Sequence, residues 1–281
     1  LIPAPYWVSY KEIVKVAEGK AVFIPTTVES EFKLKPEQLE AAITPRTRLM
    51  IYSSPCNPTG SVYSRLELQA IAEVLRKYPD IYIIADEIYE HINFIGKHES
   101  IGQFEWLRDR LIIVNGVSKG FAMTGWRIGY IAAPKVIAQA CDKLQGQFTS
   151  GASSIAQRAA LKAIATDPDT RDLQEMKKAF RERRDLMLNL LSEIPGMKLN
   201  HPDGAFYIFP DISWYFGKSD GSTTVSNSND LCMYLINKVF VALVPGDAFG
   251  EPNCIRFSYA TSKEKLTEAV KRIREALGQL K

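Results

Sequence analysis

The sequence has few of the features that mark metal centres, disulfide frameworks or membrane spans. Its four cysteines are far apart with no C-x-x-C pair, and its three histidines do not cluster with them. This pattern argues against a zinc site and against a disulfide framework, and it favours a reducing compartment, which we expect to be the cytoplasm. We therefore expect no metal. No apolar run approaches the ~20 residues that span a bilayer, so we also expect no membrane partner.

A strong charge of one sign and nucleotide-binding motifs are also missing. The chain has 35 basic and 32 acidic side chains, a formal net charge of +3, far from the concentrated basic face that nucleic-acid binding needs. No G-x-G-x-x-G follows a predicted strand and no G-x-x-x-x-G-K-[ST] occurs, which disfavours a nucleotide-binding protein. With 281 residues, 46% of them hydrophobic, the chain is expected to fold and to bind a small molecule.

Short β-rich runs alternate with helical stretches in the first two thirds of the chain. Compact apolar runs, typical of buried strands in a mainly parallel sheet, cover residues 48–54, 81–87 and 110–116. Between the first two runs, Ser64 and Glu67 have capping-box spacing ahead of an amphipathic helical pattern, which predicts a βαβ unit. We therefore predict an α/β fold with helices on both faces of a mainly parallel sheet.

The last third has a different texture. A long charged helix is predicted over residues 170–194, and its RERR run is interpreted as a solvated face. Short strand patterns follow, and the closing helix is expected to be capped by Thr261 and Glu264. We predict a large domain over residues 1–174 and a smaller α+β domain over residues 175–281.

Polar side chains follow each of the three predicted parallel strands. Asn57 comes after the first run. Asp86 lies at the end of the second run and Tyr89 just after it, and Ser118 and Lys119 follow the third. Taken singly, Asn57 could be a turn former, Asp86 a helix N-cap and Lys119 a surface lysine. Ligands of open α/β sheets bind at the carboxyl ends of the strands, however, so we expect these side chains to converge in one crevice.

This combination suits one cofactor, pyridoxal 5′-phosphate. An amine forms a Schiff base with an aldehyde only when its pKa lies well below the reference of ~10.4, as burial or a cationic neighbour can arrange for Lys119. A carboxylate at Asp86 would keep a pyridine nitrogen protonated, which makes the ring an electron sink. Tyr89 and Asn57 could hydrogen-bond the phenolic oxygen of the ring.

The phosphate and the faces of the ring also have candidate partners. Ser118 and the forked donors of Arg127, eight residues after the lysine, could hold the phosphate, although Arg127 alone could equally be an ordinary ion-pair partner. Trp7 is available to stack on the ring. Gly116 and Gly120 are expected to let a flat ring approach the lysine.

Several stretches together resemble a known family. They are PAPYWVSY, SSPCNPTGSVY, ADEIYEHI, SKGFAMTGWRIGY, QFTSGASSIAQ and CIRFSYATS, spread over almost the whole chain. The sequence resembles class I aminotransferases of the pyridoxal-phosphate fold type I superfamily, most closely aspartate aminotransferases of the bacterial and plastid type. The lysine pattern of that family is met at every position from Gly116 to Gly129.

The resemblance implies a role for each matching residue. Lys119 would be the Schiff-base lysine and the acid and base of the reaction, and Asp86 would pair with the pyridinium nitrogen. The other implied cofactor contacts are Trp7, Asn57, Tyr89, Ser118 and Arg127. Arg256 would grip the substrate α-carboxylate, with Trp7 and Asn57 beside it; this assignment of Arg256, which alone reads as a strand residue on a wet face, rests mainly on the resemblance.

The resemblance also implies an activity, with alternatives. The expected reaction is a ping-pong transfer of the amino group of L-aspartate to 2-oxoglutarate in a homodimer, and a preference for prephenate or another aromatic oxo acid is the alternative. An aminotransferase-like effector domain of a regulator is an alternative of another class. Family members have a long segment upstream of PAPYWVSY, so we expect the N-terminal part of the fold to be missing here, with a weakened phosphate site and incomplete recognition of a distal carboxylate.

Overall fold

The chain folds into alternating strands and helices followed by a smaller mixed region. The computed structural model describes residues 1–281. The strands, in chain order, are β1 (Ile2–Ala4), β2 (Phe23–Pro25), β3 (Leu49–Ser53), β4 (Tyr82–Asp86), β5 (Leu111–Gly116), β6 (Gly129–Ala132), β7 (Tyr207–Ile208), β8 (Val244–Pro245) and β9 (Ile255–Ser258). The α-helices are α1 (Ser9–Val16), α2 (Pro36–Ala42), α3 (Arg65–Arg76), α4 (Lys135–Phe148), α5 (Ser154–Ile164), α6 (Arg171–Ser192), α7 (Ser228–Val239) and α8 (Lys263–Leu277). None of these helices has the length and apolar character required to cross a bilayer.

The central sheet follows the predicted strands. β3, β4 and β5 run parallel, and β6 pairs antiparallel with β5 at the edge. Ser53 pairs with Asp86, and Asp86 pairs with Val114, so the three parallel strands end at the same edge of the sheet. This strand order is the one that the predicted convergence of the polar side chains in one crevice requires.

Helices cover both faces of this sheet. The Ser64–Glu67 capping box forms as predicted, with Ser64 N donating to Glu67 Oε2 at 2.7 Å. On one face, helix α3 packs through Leu68, Ile71, Ala72 and Leu75 into a core with Met50, Tyr52, Ile83 and Ala85 of the sheet. On the other face, Ile51 and Ile84 pack with β1 and with Tyr10 of helix α1. The alternation of these positions along the strands explains why each strand is apolar throughout.

A second and larger core lies in the C-terminal region. It gathers residues of α6, α7, α8, β7 and β9, together with Tyr89, Ile92 and Phe94 from the segment after β4. That segment therefore packs against the C-terminal region and holds Tyr89 at the junction. The predicted domain division at residue 175 lies within α6, and it stays a prediction.

The interpretation of the RERR run as a solvated face is wrong for one residue. Arg184 is 8% exposed, and its Nη1 donates to the carbonyl of Pro202 at 3.0 Å. Its guanidinium lies 5.0 Å from the centre of the Phe94 ring. Arg184 precedes Met187 by three residues and Leu191 by seven, so it shares the inward face of α6 with these two buried side chains.

The start of the closing helix also differs from the prediction. The N-cap of α8 is Ser262, whose Oγ accepts a hydrogen bond from Lys265 N at 3.4 Å. The predicted cap, Thr261, lies one position earlier. Serine and threonine are both good caps, so the sequence alone does not choose between neighbours of this kind.

One side of the molecule presents a large apolar surface. Helix α4 has no buried residue, and α5 buries only Ala156 and Ala160. Val136, Leu144 and Phe148 of α4 are 71%, 60% and 82% exposed. Several large apolar side chains exposed along one helix are a common mark of an interaction site.

Candidate active site

Asp86 is the last residue of β4, and its carboxylate accepts hydrogen bonds from uncharged groups only. Tyr10 Oη donates to Asp86 Oδ2 at 2.6 Å, and Ile88 N donates to Oδ1 at 3.2 Å. Burial raises the pKa of Asp86, although these two hydrogen bonds act in the opposite direction. The local bond to Ile88 fits the simple capping alternative, but the segment that follows is a turn and not a helix. A half-buried carboxylate without a basic neighbour is well suited to pair with a cationic N–H.

Tyr10 is the residue of this group that sequence reasoning missed. Burial, and then the carboxylate of Asp86, hold the pKa of Tyr10 well above its usual value, so it stays a hydrogen-bond donor. Its ring meets that of Trp7 edge to face, with centroids 5.6 Å apart. Trp7 is 39% exposed and lies at the open side of the group. The signal was available in PAPYWVSY, where both aromatic residues occur three positions apart.

Lys119 lies in the turn after β5 and is half-buried. No acidic group pairs with its ammonium, and Nζ lies 6.0 Å from the centre of the Tyr89 ring and 5.9 Å from that of Phe206. Burial, and then the positive charges of Arg127 and Arg256, lower the pKa of Lys119. A larger fraction of this amine is therefore neutral at a given pH than for a surface lysine. These surroundings disfavour the surface-lysine interpretation.

Arg256 on β9 faces the same region from the C-terminal part. Its Nη1 donates to Asn57 Oδ1 at 2.9 Å, and its guanidinium lies 4.6 Å from the centre of the Tyr207 ring and 4.8 Å from that of Phe249. Nε is buried without a hydrogen-bond partner, and no acidic side chain pairs with the group. A guanidinium held by aromatic rings, with donors to spare, is suited to bind a carboxylate through two bonds.

Tyr89 is buried beside these groups. Its hydroxyl lies 2.9 Å from that of Tyr207, a residue of β7 that sequence reasoning also missed. Burial raises the pKa of Tyr89 far above the usual value. No spacing rule identifies Tyr207, because it is 118 positions from its partner.

Ser118 and Arg127 make no hydrogen bond with the other candidate site residues. Ser118 is half-buried next to Lys119, whereas Arg127 is exposed and donates through Nη1 to Thr124 O at 2.9 Å. The backbone of Arg127 has a left-handed conformation, φ 58°, which is costly for an arginine. Arg127 lines an open depression of about 780 Å³ between the preceding turn and helices α4 and α5. Arg127 forms no ion pair, so the alternative that it is an ordinary ion-pair partner is not supported.

Gly116 and Gly120 are closely packed against the protein itself, and the expectation that they let a flat ring approach Lys119 stays a prediction. A Cβ at Gly116 would lie 2.8 Å from Ile128 O, and one at Gly120 would lie 2.6 Å from His91 Cδ2. These glycines allow close packing of the protein on itself. The lysine turn is therefore seated against β6 and His91.

Gly120→Ala is expected to destabilise the protein and displace this turn. The added methyl group meets the His91 ring, and relief of such a clash typically costs about 1–3 kcal/mol in the free energy of unfolding. Urea unfolding measures the change. Gly125→Ala is the matched control, since a Cβ there meets nothing within 4 Å; equal stability of the two variants would contradict the packing role.

The comparisons with known proteins identify the family of the chain. Residues 1–273 match the sequence profile of the family described as aminotransferase class I and II. The chain belongs to this aminotransferase family. Family members use pyridoxal 5′-phosphate.

Two curated aminotransferases illustrate the similarity. One from Petunia hybrida, named bifunctional aspartate aminotransferase and glutamate/aspartate-prephenate aminotransferase, is 50% identical over 284 residues, which cover 100% of the chain and 59% of the relative. An aspartate/prephenate aminotransferase from Nitrosomonas europaea is 48% identical over 281 residues, covering 99% of the chain and 70% of the relative. The chain thus spans less than two thirds of the length of the petunia relative.

A solved aminotransferase structure confirms the predicted fold class. The crystal structure of the aspartate aminotransferase from Rhizobium meliloti superposes with a TM-score of 0.95 at 42% identity. The match covers 100% of the chain and 70% of that protein. The α/β architecture of fold type I is therefore shared across the whole aminotransferase chain described here.

Proposed function

We propose that the chain binds pyridoxal 5′-phosphate through the residues gathered at the strand ends. The donor set fits this cofactor: a half-buried carboxylate without a cation at Asp86, an unpaired half-buried amine at Lys119, and a buried phenol at Tyr89. When bound, the cofactor supplies an aldehyde carbon for the amine and a ring that accepts electrons from the substrate. Ser118 and Arg127 are the proposed phosphate contacts, and Trp7 is proposed to stack on the ring.

The chain's own residues then have separate tasks. The lowered pKa of Lys119 would suit its amine to hold the aldehyde group of the cofactor and to move a proton at the substrate α-carbon. Asp86 holds a proton on the pyridine nitrogen, and the hydrogen bond from Tyr10 fixes the orientation of its carboxylate. Tyr89 and Asn57 are the proposed donors to the phenolic oxygen.

Substrate binding is assigned to Arg256. Its guanidinium is oriented by Asn57 and by the two rings of Tyr207 and Phe249, while its remaining donors are free for an α-carboxylate. This arrangement lowers the conformational cost of gripping a carboxylate bidentately. A guanidinium without an acidic partner, close enough to an unpaired lysine to lower its pKa, is the observation that carries the proposal.

The reaction that these groups support best is the ping-pong transfer of an amino group between L-aspartate and 2-oxoglutarate. The petunia and Nitrosomonas relatives are named for aspartate as amino donor, which supports this choice. Both names also include prephenate, which supports an aromatic or prephenate preference as the second candidate.

A homodimer in the cytoplasm is proposed as the working state. The exposed apolar side chains of α4 and α5 lie on the same side as Arg127 and support an interface there with a second copy. Four free cysteines support a reducing compartment.

Single-turnover measurements test the activity and the substrate together. We expect L-aspartate to discharge the visible absorption of the cofactor-bound chain faster than L-phenylalanine does. Arg256→Gln should raise the aspartate concentration needed for half-maximal rate by about 100-fold, because two charge-assisted hydrogen bonds are lost. Arg272→Gln, which removes only an exposed ion pair with Glu268, is the control.

Three outcomes would overturn parts of this proposal. Faster discharge by aromatic donors would replace aspartate with the second candidate. Cofactor absorption without any discharge would favour a sensing domain over an enzyme. An Arg256→Gln variant with unchanged aspartate dependence would remove Arg256 from the substrate site.

A further inference from the structure

A pair of buried tyrosines connects the two halves of the candidate site. The hydroxyls of Tyr89 and Tyr207 are 2.9 Å apart, and the residues are 3% and 6% exposed. Their rings meet edge to face with centroids 5.9 Å apart. Each hydroxyl is the only protein hydrogen-bond partner of the other, so one must donate and the other must accept.

The position of Arg256 favours one direction of this hydrogen bond. Its guanidinium lies 4.6 Å from the centre of the Tyr207 ring, and a cation there favours loss of the phenolic proton. Burial raises the pKa of both tyrosines, and the charge of Arg256 opposes the rise at both, but of the two rings it is that of Tyr207 that lies directly against the guanidinium. Tyr207 is therefore the better donor and Tyr89 the better acceptor.

We propose that Tyr207 is a positioning residue that donates to the oxygen of Tyr89 and so directs the Tyr89 proton toward the cofactor's phenolic oxygen. The proposal rests on the proposed function, because it needs a cofactor oxygen as the acceptor. It couples the arginine assigned to the substrate carboxylate with the phenol assigned to the cofactor. No motif in the sequence marks Tyr207 for this task.

The charged groups that face the pair are few, which makes its effect measurable. Arg256 approaches from β9, Lys119 has its Nζ 6.0 Å from the centre of the Tyr89 ring, and Asp86 contributes to the raised pKa of Tyr89. A proton donated by Tyr89 to an anionic oxygen stabilises the deprotonated form of the bound cofactor. Loss of that donation must raise the pH at which the visible absorption of the loaded chain changes.

A double-mutant cycle on the full chain tests the coupling. The proteins are wild type, Tyr89→Phe, Tyr207→Phe and the double variant, each measured for affinity toward pyridoxal 5′-phosphate by protein fluorescence and for the midpoint pH of its absorption. We expect Tyr89→Phe to weaken binding about 10-fold and raise the midpoint by about one unit. Tyr207→Phe should weaken binding about 3-fold and raise the midpoint by about half a unit, and the double variant should match Tyr89→Phe.

Tyr234→Phe is the matched control. Its hydroxyl is also buried and donates to Ala276 O at 3.1 Å, in the contact between α7 and α8. Removal of this hydroxyl should change the melting temperature but leave the midpoint pH unmoved. A midpoint that shifts in Tyr207→Phe but not in Tyr234→Phe separates a role in the site from a role in packing.

The outcomes separate this proposal from the proposed function. Normal cofactor absorption in the wild type with an unmoved midpoint in Tyr207→Phe overturns the role of Tyr207 alone. Effects of the two single variants that add in the double variant overturn the coupling. A wild-type chain with no Lys119-dependent absorption overturns both proposals.

Discussion

Lys119→Ala is expected to lower transamination by at least about 10⁴-fold, because it removes both the covalent attachment of the cofactor and the group that moves the substrate proton. The structure provides no replacement at this position, since the other cations nearby are the guanidinium groups of Arg127 and Arg256. Borohydride reduction followed by mass spectrometry should find one pyridoxyl group per wild-type chain and none in the variant. The melting temperature of the variant without cofactor should stay close to that of the wild type.

Lys135→Ala is the control for this experiment. Lys135 is an exposed lysine at the first position of α4, and its loss should leave turnover and labelling unchanged. A Lys119→Ala chain that still retains a reduced pyridoxyl group would assign the attachment to another lysine and remove the basis of the proposed mechanism.

Asp86→Asn is expected to reduce activity by about 10³-fold while stabilising the protein without cofactor. The neutral amide cannot keep a proton on the pyridine nitrogen, so electrostatic stabilisation of the reaction is lost. Stability moves the other way, because burial raises the pKa of Asp86 above its usual value of 3.8 and an ionised carboxylate there is unfavourable. At pH 7.5 we expect a melting temperature about 2 °C above that of the wild type.

The pH dependence gives the sign of this effect. Between 3.8 and the raised native pKa of Asp86, the native state holds a proton that the unfolded state has released, so wild-type stability falls as pH rises through that window. The advantage of the Asn variant should therefore be small at pH 4 and full above the native pKa. Asp109→Asn, an exposed position, should change neither property. A variant that loses stability together with activity would make Asp86 a structural residue.

The sequence predicted those parts of the fold that depend on local pattern. The Ser64–Glu67 box and the apolar runs around β3, β4 and β5 are contiguous signals, and the structure realises them within a residue or two. Asp86 and Lys119 could be selected for the same reason, because they directly follow such runs. Their convergence needs only the parallel order of the strands.

Partners brought together by the tertiary fold were not predictable in this way. Tyr10 contacts Asp86 across 76 positions and Tyr207 contacts Tyr89 across 118, and no spacing rule connects residues so far apart. The close packing around the glycines of the lysine turn was not predictable for the same reason. The ring of His91 that fills the space beside Gly120 belongs to a different segment.

The arginines of the RERR run connect helix α6 with the segment that follows β4. Arg181 donates to the carbonyl of Phe94, and the guanidinium of Arg184 lies over the ring of the same residue. Side chains from successive turns of α6 therefore contact the segment after β4. Tyr89 lies in the same segment, five positions before Phe94. The position of the Tyr89 phenol therefore depends on the packing of α6 as well as on β4.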